Sequence, residues 1–189
     1  MKEHKKKRDE EEEYFQRENL EKKEKLRRKQ QLQAIQQQER ESIAKTLATS
    51  QEIADEAMDL GFDAETARVL PLIPLIQVAW ADGKVTLAQS EKVLSKAEAY
   101  GVAPDTPAHD FLSLLLDKEP STVFFKRANK VIKAIVDDNP GGDITTNVLP
   151  WSQAVAEASG GFFGLTNPIS KKERSALSQI ASIFNKSEA

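Results

Sequence analysis

From Lys2 to Ala48 the chain contains neither proline nor glycine. Glu, Lys, Arg, Gln and Leu fill most of this stretch, and all five are good helix formers. Acid–base pairs recur four residues apart with the acid first, as in Glu18–Lys22, Glu21–Lys25 and Glu24–Arg28, the order that suits the helix dipole. The stretch therefore predicts a single helix from about residue 9 to residue 48. Its apolar residues are few: Tyr14, Phe15, Leu20, Leu26, Leu32 and Ile35. On a helical projection Tyr14, Phe15, Leu26 and Leu32 fall within a stripe of roughly 120°, and Leu20 lies off it. No heptad is sustained, which argues against a self-sufficient coiled coil. Such a segment is only marginally helical alone in water. Three roles stay open: a solvated single helix, an arm for homodimerisation, or a segment that orders on a partner.

Charge separates this stretch from the rest of the chain. Residues 1–40 hold 13 of the 27 Lys/Arg and 10 of the 30 Asp/Glu, a net of +3, which leaves −6 for the remainder. The expected organisation is a charged interaction helix over 1–48 and a helical domain over 49–189. Several function classes are excluded or disfavoured. There is no cysteine, so disulfides, thiolate metal sites and cysteine nucleophiles are ruled out. The two histidines, His4 and His109, are far apart in sequence, which disfavours a histidine zinc site or a catalytic triad. Neither a glycine-rich phosphate loop nor a nucleophile motif is present, so a non-enzymatic protein is expected. Basic residues are interleaved with acids and the net charge is −3, so nucleic acid is not the expected partner. No apolar run approaches a membrane span, and the N-terminus is charged rather than signal-like. The expected location is the cytoplasm, or an organelle matrix if a transit peptide has been removed.

After Ser42 the apolar spacing tightens. Ile43, Leu47, Ile53, Ala54, Ala57, Met58 and Leu60 recur at helical intervals and stop at Gly61, a natural C-cap. Residues 64–81 are apolar nearly all round, which predicts the central element, and Pro71 and Pro74 predict a break within it. Thr86-Leu87-Ala88-Gln89 reads as a capping box opening a helix that runs to Tyr100 and stops at Gly101. Further helices are expected over 107–117, 121–136 and 143–159, with Pro150 a point of interruption in the last. Residues 160–168 read as a loop. Ser170-Lys171-Lys172-Glu173 is a second capping box and opens the final helix. The β-branched residues keep helical spacing, so the predicted fold is all-α.

Two stretches resemble each other. Val78-Ala79-Trp80-Ala81-Asp82-Gly83-Lys84-Val85-Thr86 and Val155-Ala156-Glu157-Ala158-Ser159-Gly160, the latter continued by Ile169-Ser170, each read as helix, glycine turn, apolar residue, hydroxyl cap and helix. Two such hairpins can pack as a pseudo-twofold bundle. The phrase Leu75-Ile76-Gln77-Val78-Ala79-Trp80-Ala81-Asp82-Gly83-Lys84-Val85-Thr86 resembles the TerB-like, tellurite-resistance-type helical family, over about residues 60–187. The resemblance implies a compact bundle built from two helix–turn–helix pseudo-repeats. It also implies acids at the two turns that could hold a divalent cation. Here the acids that remain are Asp82, Glu91 and Glu173, while Gln89 and Ser159 stand where the family often has acids. A cation prefers several converging charged oxygens, so the expectation is no cofactor, with those three residues the candidates if one binds. A turn role for Asp82 and a capping role for Glu173 account for both without a metal.

A second resemblance lies in the first helix. Glu10-Glu11-Glu12-Glu13-Tyr14-Phe15-Gln16-Arg17-Glu18-Asn19-Leu20-Glu21-Lys22-Lys23-Glu24-Lys25-Leu26-Arg27-Arg28-Lys29 resembles the inhibitory segment of the F1-ATPase inhibitor proteins. The shared features are an acid run, Tyr14-Phe15, Glu21, Leu26 and the basic residues after it. Lys23 departs, since the family usually has a leucine between the glutamate and the last leucine. The family's histidine-rich pH switch is also absent. The resemblance implies a hibernation-type regulator of the rotary ATP synthase, bacterial and peripheral to the membrane through that enzyme. Its helix would insert between the catalytic α and β subunits and block rotation of γ. Glu12, Glu13, Tyr14, Phe15, Arg17, Glu21, Leu26 and Arg27 are the expected partner-binding residues. Exposed aromatics suit pocket anchors, and the charges suit register and on-rate. The alternative expectation is a TerB-like stress-response adaptor working through its domain.

Overall fold

The computed structural model describes residues 2–158 and 169–184, with side chains from residue 12 onward. Among them are eight α-helices, one short 3-10 helix and no strand. They run α1 Lys2–Leu47, α2 Gln51–Met58, the 3-10 helix Ala67–Leu72, α3 Ile73–Ala79, α4 Leu87–Ala99, α5 Pro107–Asp117, α6 Thr122–Asp138, α7 Asp143–Ala158 and α8 Lys171–Phe184. The expected all-α class with a long N-terminal helix and a compact bundle is what the chain adopts. No described helix is long and apolar enough to cross a membrane.

The chain forms two units, Met1–Glu39 and Arg40–Ala189. The first contains only α1. The second takes in the last two turns of that helix, because Ile43 and Leu47 are buried in its core. Those turns are fastened locally. Arg40 pairs with Asp55, and Asp138 accepts hydrogen bonds from Thr49 Oγ1 and the Ser50 amide, each at 3.1 Å.

The centre of the compact unit is the apolar stretch that the prolines were expected to break. They do break it. Pro71 lies in the 3-10 segment, and Pro74 sits in the first turn of α3, where no intrahelical donor is needed. Every residue of α3 except Gln77 is buried, as an all-round apolar helix requires. It packs against α4, α5, α6, α7 and α8. Pro150, expected as an interruption, instead lies inside a continuous α7. It is solvent-exposed, while the buried face of that helix packs on α3, α4 and α8, so tertiary packing outweighs one missing backbone donor. The predicted loop at 160–168 lies outside the described residues.

Three helices end in the same way. At Gly61 and Gly101, φ is +91° and +89°, and the following amides, Phe62 and Val102, reach back to Ala57 and Ala97 at 3.2 and 2.9 Å. The end of α1 repeats the pattern, with Thr49 N–H to Ala44 O at 3.0 Å, but the left-handed residue is Ala48 at φ +50°. A Cβ is strained there and glycine is not. Ala48→Gly is expected to raise the unfolding free energy by about 0.5–1 kcal/mol, measured by denaturant unfolding.

Candidate functional site

The eight expected partner-binding residues all lie on α1 within the first unit, and all are exposed. Tyr14, Phe15 and Leu26 are 64%, 60% and 57% accessible. Leu20, Leu32 and Ile35 on the same helix are exposed to a similar degree. Tyr14 and Phe15 meet edge to face, with ring centres 6.2 Å apart. Phe15 and Leu26 share one side of the helix and are separated by about 16 Å along it. Between them the Glu18–Lys22 ion pair closes at 2.8 Å, so the apolar stripe carries a charged bridge. Arg17 lies 3.7 Å from Glu13. The other expected pairs, Glu21–Lys25 and Glu24–Arg28, do not close.

Regular helix geometry distributes the eight residues unevenly. With about 100° per residue, Tyr14, Phe15, Glu21 and Leu26 occupy one half of the circumference, and Glu13 and Arg27 face the opposite side. A flat partner would reach only the first set. A cleft that encloses the helix would reach all of them, with aromatic anchors on one wall and charges on the other.

The metal candidates do not converge. Among the described residues, no three acidic or histidine side chains gather as a group that could hold a cation. Asp82 and Glu91 are exposed, whereas Glu173 is 1% accessible. Glu173 belongs instead to a junction between the starts of α4 and α8. Both capping boxes form. Gln89 N–H donates to Thr86 Oγ1 at 3.2 Å, and Gln89 Oε1 accepts from the Thr86 amide at 2.9 Å. Glu173 N–H donates to Ser170 Oγ at 3.1 Å, and Glu173 Oε2 accepts from the Ser170 amide at 2.7 Å. The two boxes are then joined, because Gln89 Nε2 donates to Glu173 Oε1 at 3.0 Å in a buried contact.

This arrangement gives Gln89 a physical role. The buried Glu173 carboxylate is compensated by an amide donor, a backbone N–H and the positive end of α8. A second carboxylate at position 89 would face it across a hydrogen-bond distance, where two like charges resist ionising together. Gln89→Glu is therefore expected to destabilise the fold at neutral pH by on the order of 2 kcal/mol in urea unfolding. Each capping box was readable as a local motif. That their third residues meet depends on the packing of α4, α7 and α8, which local spacing does not encode.

No protein-family model, curated protein or solved structure gives a significant match to this chain.

Proposed function

We propose that the chain is a non-enzymatic regulator that inhibits the rotary F-type ATPase by inserting α1 into the interface of the F1 catalytic subunits. The observation that carries this reading is the exposure of the adjacent rings Tyr14 and Phe15, with Leu26 on the same side, on a helix built mostly of charged residues and glutamines. Their spacing is that of the F1-ATPase inhibitor segment. Such rings fill partner pockets at little entropic cost, and surrounding charges set register. The partners on this reading are the α, β and γ subunits of F1, in the bacterial cytoplasm at the membrane face of the synthase. Capture from the native cell on the immobilised full chain should recover all three subunits. A chain lacking residues 1–39 keeps Ile43 and Leu47 for its core and the Arg40–Asp55 ion pair, and should recover none.

The joined capping boxes favour a second reading, a TerB-like adaptor that binds through the compact unit. Two helix starts locked at a buried junction make a rigid scaffold for presenting a surface. On this reading the same truncation leaves the captured partners unchanged, which separates the two proposals in one experiment.

A further inference from the structure

The charges along α1 are ordered about its residue 20. Residues 9–18 hold six acids and one arginine, a net of −5. Residues 22–31 hold six bases and one glutamate, a net of +5. The side of the helix that carries the aromatic pair follows the same order. At about 100° per residue, Tyr14, Phe15, Glu18, Lys22, Lys25 and Leu26 fall within one arc of roughly 120°. Glu18 is half-buried and the other five are exposed. Along this face the rings and the acid come first, and the lysines and the leucine follow.

A surface of this kind complements a reversed copy of itself. Two α1 helices laid antiparallel about a twofold axis at residue 20 bring residue 18 level with residue 22, and residues 9–18 level with residues 22–31. Glu18 then meets Lys22 of the second copy, and Lys22 meets its Glu18. With the Glu18–Lys22 bridge inside each helix at 2.8 Å, four charges alternate around the axis. Phe15 and Leu26 lie about 20° apart around the helix, as do Tyr14 and Lys25. A twofold axis of this kind keeps each edge of the seam against the same edge of the other copy. Phe15 therefore packs on Leu26 of the second copy, and the Lys25 ammonium of that copy reaches the Tyr14 ring. Each contact occurs twice. Parallel pairing would instead set Lys22 and Lys25 against their own copies, and each charged segment against its like.

We propose that α1 binds α1 of a second copy of this chain, antiparallel, over residues 9–31. The paired span is about 33 Å long. Its seam is more polar than that of a heptad coiled coil, so the association is weak, salt-sensitive and seen at high protein concentration. The compact unit begins at Arg40, beyond the paired span, and the pairing needs nothing from it. Nor does the pairing involve F1, so its failure would leave the proposed inhibition standing.

The test is sedimentation equilibrium on the full chain from about 10 μM to about 0.5 mM, in low salt and in about 0.5 M salt. In low salt the average mass should climb from the 21.1 kDa of one chain toward twice that value, and high salt should reverse the rise. Glu18→Lys makes the centre of the seam wholly basic, and Lys22→Glu with Lys25→Glu makes it wholly acidic. Each variant alone should self-associate about tenfold or more weakly than the parent. An equimolar mixture of the two should recover the association. Direction is read separately. The chain has no cysteine, so a spin label on Gln30→Cys marks one position per copy. Antiparallel pairing sets the two labels roughly 30 Å apart along the axis, whereas parallel pairing sets the two helices roughly 10 Å apart with the labels level. The proposal is overturned by a chain that stays monomeric throughout, by charge variants that associate like the parent, by a mixture that fails to recover association, or by labels near 10 Å.

Discussion

Replacing Tyr14 and Phe15 together by alanine is expected to weaken binding to purified F1 by about 4 kcal/mol, on the order of a thousandfold in Kd. Both rings are largely exposed, so the free chain gives up little packing when they are removed. Alanine is the better helix former at both positions, so α1 should persist. Far-UV circular dichroism and Tm should therefore match the parent while binding collapses. The separation matters because a variant that lost binding through unfolding would say nothing about anchors. Single substitutions should each cost about 2 kcal/mol or more, and the two need not add, since the rings touch. Arg17→Ala should act differently. Its charge lies on the exposed helix surface, so its loss should slow association and reduce the salt dependence more than it changes the dissociation rate.

The second large effect is predicted inside the compact unit. Glu173→Ala removes the acceptor for the Ser170 amide and the partner of the buried Gln89 amide. The buried Gln89 Nε2 donor and the part-buried Ser170 amide are left without acceptors, and α8 loses half of its capping box. The expected cost is about 3 kcal/mol, which for a chain of this size is a fall in Tm of roughly 6–12 °C. Glu173→Gln retains an oxygen for the Ser170 amide and nearly the same volume but turns its NH2 toward the Gln89 Nε2 donor, so it should cost about 1–2 kcal/mol, less than alanine. Thermal unfolding of the two variants side by side separates the carboxylate charge from what glutamine keeps, the volume and one acceptor oxygen. Equal losses would place the contribution in the carboxylate charge.

Much of this fold could be read from local signals. Gly61 and Gly101 mark helix ends because only left-handed backbone completes the terminal hydrogen bonds there. Thr86, Thr106, Ser121 and Ser170 mark helix starts because a hydroxyl can accept an otherwise unpaired amide. Pro71 and Pro74 mark the change from 3-10 to α geometry because each lacks a donor. Ile43 and Leu47 begin the tighter apolar spacing, but the boundary expected at 48/49 left both in the interaction helix, whereas they are buried in the core of the compact unit. Where local signals misled, the deciding contacts were distant. Pro150 is tolerated because the opposite face of α7 is packed. The Gln89–Glu173 bond joins residues 84 positions apart, and the Asn129–Gln77 bond joins residues 52 apart. In the sequence these residues are ordinary amides and a capping acid. The N-terminal candidates are a different case, since their exposure follows from a sparse apolar pattern and is what the helix displays.

What that exposed helix does is tested most directly by ATP hydrolysis on purified F1. Titrated with the full chain in the presence of magnesium and ATP, hydrolysis should fall to a low plateau. The chain lacking residues 1–39 should leave it untouched. Hydrolysis that stays unchanged at micromolar concentrations of the full chain would contradict the proposed inhibition.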